Sequence, residues 1–138
     1  MKYIIYMSSA TQLLGNDELL ELLKISRKNN EKKSLTGMLL YGEGAFVQVL
    51  EGEDETVDST YEVIKADPRH KSIIQIISGK LDRRIFPNWS MGFKAGNHNL
   101  AEKLTGFIDI RNDGLLIHDE THPAVIVLKT FADTNNLV

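Results

Sequence analysis

The sequence predicts an α+β fold of the ferredoxin-like type: a βαββαββ sheet with two helices on one face and a C-terminal helical extension. Three observations carry this reading. Strand-type alternation and amphipathic helical spacing succeed one another over the first 95 residues in the order βαββαβ, with one strand more. The two middle strands are joined by the short turn Gly42-Glu43-Gly44, which makes them an antiparallel hairpin. At 138 residues, with 42% apolar and 25% charged side chains, the chain has the size and composition of one domain with its own core.

Taken in order, Lys2 to Met7 reads as the first strand, with Ile4 and Tyr6 on one face and Tyr3, Ile5 and Met7 on the other. After a loop from Ser8 to Gly15, Asn16 is the expected N-cap of a helix, and Asp17 and Glu18 suit its positive end. Leu19, Leu20, Leu22 and Leu23, with Ser26 at the margin, give its apolar face, and it runs out near Lys28-Asn29-Asn30. Thr36 to Tyr41 and Ala45 to Gly52 are the hairpin strands. Asp54 and Glu55 open a second helix with Val57, Tyr61 and Ile64 inward, stopping near Asp67 because Pro68 disfavours helical backbone before it. Ser72 to Ser78 is a fourth strand, Lys80 to Arg84 a polar loop, and Phe86-Pro-Asn-Trp89 leads to a last strand around Ser90 to Ala95.

The tail has helical spacing at Leu100 to Ile110, a break at Asp113-Gly114, and a helix opened by Pro123 that runs to Asp133. Both are expected to cover the sheet face that the first two helices leave open. No linker or repeat marks a boundary, so residues 1–96 are read as the binding domain and 97–138 as a helical extension packed on it.

Composition removes several functions. There is no cysteine, which excludes disulfides, thiol catalysis and zinc–thiolate sites. Net charge is −3, and the basic pairs Lys32-Lys33 and Arg83-Arg84 are too sparse for a nucleic-acid surface. No apolar stretch has signal-peptide or bilayer-spanning length, so the expectation is a cytoplasmic protein with no membrane contact.

The residue that breaks the pattern is Gln48. Alternation puts it on a face with Phe46 and Leu50, where an unpaired amide costs about 1–3 kcal/mol. It is either a core glutamine bonded locally or part of a site. Tyr6 raises the same question, because first and third strands are neighbours in a ferredoxin-like sheet and the two side chains then share the helix-covered face. Asn29-Asn30, at the end of the first helix, lies by the gap between the two helices. Each residue alone has an ordinary structural explanation; together they frame a slot with convergent donors and acceptors, as small-molecule sites do.

Ile5-Tyr6-Met7-Ser8, Lys28-Asn29-Asn30, Leu35-Thr-Gly37, Phe46-Val-Gln48-Val-Leu-Glu-Gly52, Asp67-Pro-Arg69-His70 and Phe86-Pro-Asn-Trp89-Ser-Met91, in this order and spacing, resemble the BLUF family of flavin-binding blue-light receptors. The resemblance runs from about Lys2 to Lys94, and no effector domain such as a cyclase or phosphodiesterase is recognised after Gly96, so the expectation is a short, single-domain, non-enzymatic member. It implies a flavin held between the two helices, FAD with FMN or riboflavin as alternatives. Asn30 would bond the ring's polar edge, with Asn29 beside it. Arg69 would lie near the ring or its side chain, with His70 following. Tyr6 matches the photoactive tyrosine, Gln48 the glutamine between it and the flavin, and Trp89 and Met91 the pair on the last strand that exchange environments. The implied partners are the flavin, a downstream protein that the sequence does not identify, and a homo-oligomer.

The residue types suit that chemistry. A phenol with a reference pKa of about 10 can give up an electron and a proton together, and an amide with a donor end and an acceptor end can rewire its bonds without forming a covalent product. Two other readings compete. His118-Asp-Glu-Thr-His122 has the spacing of helix-borne metal ligands, but Asp119 stands where a zinc protease has glutamate and Pro123 argues against a helix across the pair. A ferredoxin-like regulatory or small-molecule-binding module without photochemistry would need the same slot and no pigment.

Overall fold

The computed structural model describes residues 1–12, 15–42, 44–86, 92–95 and 122–134. Their elements run β1 (Lys2–Ala10), α1 (Asn16–Lys32), β2 (Thr36–Gly42), β3 (Ala45–Gly52), α2 (Asp54–Lys65), β4 (His70–Lys80), β5 (Gly92–Ala95) and α3 (Pro123–Thr134). The five strands form one sheet in the order β4-β1-β3-β2-β5. Pairing is antiparallel except between β2 and β5, which run parallel. The fold is thus the expected ferredoxin-like sheet with β5 added beside the hairpin.

Period-two alternation divides the core between the two faces of the sheet. Ile4, Tyr6, Leu39, Phe46 and Leu50 pack with Leu19 and Leu23 of α1 and Val57 and Tyr61 of α2. Tyr3, Ile5, Met38, Val47 and Val49 face the other way, against Ala124, Val125, Leu128 and Phe131 of α3. The segment from Leu100 to Ile110, expected to join α3 on this face, lies outside the described residues.

Two glycines are dictated by geometry. Gly44 closes the hairpin at φ 81°, a conformation that side chains disfavour. Gly37 brings β2 so close to β3 that a Cβ there would lie 1.9 Å from the carbonyl oxygen of Val49.

Several boundaries differ from the expected ones, each for a physical reason: strand β1 continues past Met7 to Ala10, through residues expected to be loop, because Ser8 and Ser9 pair with Phe46 and Ala45 of β3. Helix α1 is capped by Gly15 with no side-chain bond, so Asn16 is its first residue and not its N-cap. The helix also runs past Asn29 and Asn30 to Lys32. There Ser34 takes a left-handed φ of 56°, and the amides of Leu35 and Ser34 return to the carbonyls of Asn30 and Glu31, at 2.9 and 3.3 Å. A serine in the place usually held by glycine or asparagine hides that stop signal in the sequence. Strand β4 is longer than Ser72 to Ser78 because β1 pairs with it from Lys2↔Lys80 to Ala10↔His70, beyond the isoleucine-rich stretch that local propensity marks.

Candidate functional site

Tyr6 and Gln48 are direct partners in the β1–β3 register, and Leu39 of β2 lies opposite Gln48 on its other side. The three therefore form a row across the helix-facing side of the sheet. The Tyr6 hydroxyl donates to Oε1 of Gln48, with the residues only 4% and 6% exposed. This answers the question Gln48 raises in the sequence, since its oxygen is met by the phenol of the neighbouring strand.

Above this row a cleft opens between α1 and α2. It is walled by apolar side chains, Leu22 and Ile25 from α1 and Val63 and Ile64 from α2, and its polar lining includes Tyr6, Gln48, Asn29, Asn30, Arg69 and His70, with Ser26, Lys33, Thr60 and Asp67 beside them. All six described residues singled out as site candidates thus meet in one cavity. Asn30 is buried in the last turn of α1, while Asn29 is exposed at the rim. The cavity encloses about 150 Å³, room for a single six-membered ring. A larger planar ligand must use the mouth, where Ile25 and Val63 stand exposed on facing helices.

Burial holds the Tyr6 phenol well above its ordinary pKa of 10.0, and the nearby Tyr61 and Asp67 push in the same direction. The floor of the cleft is therefore a neutral proton donor. At the outer end, Arg69 grips Asp67 through Nε, at 3.0 and 2.9 Å to the two carboxylate oxygens, and through Nη2. That hydrogen bond holds Asp67 below the usual carboxylate range and raises the guanidinium in turn. The loop behind them is fixed by Thr11, whose amide donates to the carbonyl of Arg69 at 3.1 Å and whose hydroxyl reaches the carbonyls of Pro68 and Arg69.

His70 closes the cleft beside Tyr6, at 6.2 Å between ring centroids. Its Nε2 lies 2.6 Å from the carbonyl oxygen of Ile64, which can only accept, so Nε2 carries a proton. Its Nδ1 meets the Ser8 hydroxyl at 2.8 Å. The imidazole therefore ties the end of α2 to β1. Lys33, just past the end of α1, reaches across to Thr60 of α2 at 3.4 Å and ties the two walls together, a role its place in the pair Lys32-Lys33 does not reveal in the sequence.

Trp89 and Met91 lie outside the described residues, as does His118. His122 caps α3, its Nδ1 accepting from the amide of Ala124 at 3.0 Å. Among the described residues no cluster of histidine, cysteine, aspartate or glutamate could hold a metal ion.

A sheet whose helix-covered face carries an apolar cleft, edged by amides and floored by a neutral phenol, defines a receptor for a planar ligand with a polar edge. Its family is defined by sequence: the model described as "Sensors of blue-light using FAD", BLUF, matches residues 1–92, and the chain belongs to that family. The chain is 33% identical over 87 residues to the photoactivated adenylate cyclase subunit beta of Euglena gracilis, covering 62% of this chain and 10% of that protein. It thus spans about a tenth of the length of that relative. Among solved structures it resembles a bacterial light-regulated adenylyl cyclase, with TM-score 0.67, 32% identity and coverage of 99% of this chain and 34% of the other. It also resembles the dark state of BlrB, a BLUF protein, with TM-score 0.69, 26% identity and 96% of both chains covered. The domain is a flavin-based sensor of blue light, and the BLUF domain itself is a sensor and not a catalytic unit.

Proposed function

We propose that this chain senses blue light by switching the hydrogen bonds among Tyr6, Gln48 and a non-covalently held flavin between α1 and α2. The observation that carries the reading is the buried Tyr6–Gln48 bond at the floor of the cleft. The cleft chemistry fits the group: apolar walls for a planar ring, and the amides of Asn30, Asn29 and Gln48 for its alternating donors and acceptors. Arg69 and His70 close the outer end. FAD is the proposed flavin, as in the family's description, with FMN and riboflavin to be distinguished by extracting and separating the pigment.

When bound, the flavin supplies absorption of blue light and an excited state that takes an electron. Tyr6 is the source of that electron and of a proton at its hydroxyl, for which Oε1 of Gln48 is the acceptor already in contact. Reorienting the Gln48 amide exchanges which of its ends faces Tyr6 and which faces the cleft. Glutamate here would bring charge into the slot, and leucine would offer no polar atom. The altered bonding biases the last strand at Trp89 and Met91, and the output passes to a partner protein or through a homo-oligomer.

In this reading residues 1–96 are the sensing domain, 97–138 its helical extension, and the chain has no enzymatic activity of its own. A cytoplasmic location goes with it; no described helix is long and apolar enough to cross a membrane. The test is the absorption spectrum of the purified protein before and after blue light, in wild type and Gln48→Leu. A flavin spectrum that changes reversibly with blue light in wild type and stays fixed in the variant is the expected result. A normal change in Gln48→Leu overturns the mechanism.

A further inference from the structure

Strand β3 carries a second polar residue on an apolar face. Glu51 lies three positions beyond Gln48, so alternation points it to the opposite side of the sheet, on the face of Val47 and Val49. Its side chain is fully buried. Three donors converge on it: Oε1 accepts from the hydroxyl of Thr36 at 2.7 Å and the amide of Phe86 at 2.7 Å, and Oε2 accepts from the amide of Ile85 at 2.8 Å. Two consecutive backbone amides of the β4–β5 connector are thus gripped by one carboxylate.

The neighbouring Arg84 extends the tie. Its Nη1 donates to the Thr36 hydroxyl at 2.9 Å and to the Glu51 carbonyl at 3.2 Å, and Nη2 donates to the carbonyl of Ser34 at 2.6 Å. Ser34 is the left-handed residue just past the cap of α1, and the amide of Leu35 after it bonds the carbonyl of Asn30 at 2.9 Å. One network therefore joins the connector to the strand that carries Gln48 and to the helix end that carries Asn30. Six positions past Phe86, the chain enters β5, which pairs with β2 from Met38↔Gly92 onward.

A buried carboxylate is expensive, and an apolar side chain of similar volume serves stability as well or better. What the apolar residue cannot do is fix the path of two adjacent amides. We propose that Glu51 is a positioning residue of the light switch. It clamps Ile85 and Phe86, at the near end of the connector, to β3, so that a rearrangement begun at Gln48 on the same strand works against that clamp and is pulled back by it in the dark. This rests on the sensing function proposed above.

The test uses the flavin-loaded protein as wild type, Glu51→Gln and Thr36→Val. Glutamine offers one acceptor oxygen and sets its NH2 against an amide donor, so it breaks the double grip while keeping the size of the side chain. The readouts are the amplitude of the light-induced spectral shift, its rate of dark recovery, and hydrogen exchange at the amides of Ile85 and Phe86. Glu51→Gln is expected to bind flavin and to shift with wild-type amplitude, but to recover about three- to tenfold more slowly and to exchange both amides faster. Thr36→Val, in which both amides keep their acceptor, slows recovery by less. Wild-type recovery in Glu51→Gln overturns the proposal, whether or not the amides lose protection. Should that variant fail to fold, Glu51→Asp, whose carboxylate stands one methylene short of the two amides, takes its place, and wild-type recovery in it overturns the proposal equally. A wild-type protein that shows no light-induced shift removes the sensing function first, and with it this inference.

Discussion

Replacing Tyr6 by phenylalanine removes a single oxygen from the floor of the cleft and tests two properties of the site together. The hydroxyl is buried and donates to Oε1 of Gln48, so its loss deprives a 6%-exposed amide of that donor. Such a loss costs about 1–2 kcal/mol, which for a domain of this size lowers the melting temperature by roughly 3–8 °C. The gap between the proteins should also depend on pH. The folded phenol is held above its ordinary value of 10.0, chiefly by burial, so the unfolded chain releases this proton first. Its contribution is complete below pH 10 and fades as the solution becomes more alkaline, at about 1.4 kcal/mol per pH unit. Tyr3 and Tyr61, also raised by burial, are common to both proteins and cancel in the difference. Denaturant melts of flavin-loaded wild type and Tyr6→Phe at matched occupancy between pH 8 and pH 11 measure the gap. Blue-light difference spectra at pH 8 measure the switch, which should be absent from the variant. A stability gap that stays constant above pH 10 contradicts the burial argument, and a surviving light-induced change contradicts the role given to the phenol.

Asn30→Ala removes a buried amide from the end of α1 and should weaken flavin retention about tenfold, read by equilibrium dialysis; full occupancy in the variant takes Asn30 out of the site. Gly37→Ala forces a Cβ to within 1.9 Å of the Val49 carbonyl, a backbone clash that should destabilise the protein by about 1–3 kcal/mol in a thermal melt. An unchanged melting temperature there means that β2 lies farther from β3 than described. Exchanging Asp67 for asparagine removes the charge and one of the two acceptor oxygens that hold Arg69, and its stability cost should be present at neutral pH and fade as the solution is acidified below the ordinary aspartate value of 3.8. Acid titration by circular dichroism of the two proteins checks that slope.

The fold was legible where apolar period and turn chemistry agreed. Ile4 and Tyr6 separate from Tyr3 and Ile5 by alternation alone, and the two core clusters divide along that line. The places that misled are those where a tertiary contact overrides the local signal. Ser34 closes α1 in a left-handed conformation without the glycine that would advertise it, so the helix seemed to end at the asparagines. The ends of β4 are set by its long partner β1, and the register slips between Ile5/Tyr6 and Met7/Ser9 have no counterpart in the isoleucine pattern. Even so, the error in α1 leaves Asn29 and Asn30 at the same cleft, because both remain in the last turn beside α2.

The site shows a different limit. Gln48 stands out because an amide interrupts apolar alternation, and the same alternation, applied to the other face of that strand, marks Glu51 between Val49 and the turn into α2. The two differ in what answers them. The partner of Gln48 is a side chain, Tyr6, whose own polarity is visible in the sequence at a neighbouring strand. The partners of Glu51 are mainly backbone amides, at Ile85 and Phe86, which every residue but proline possesses and no sequence pattern reveals. A polar residue paired with another side chain can be predicted in pairs. One that grips the main chain can be recognised only by the absence of any side-chain reason for its burial, and that makes Glu51 a candidate for setting the path of the chain and Gln48 a candidate for changing its bonds.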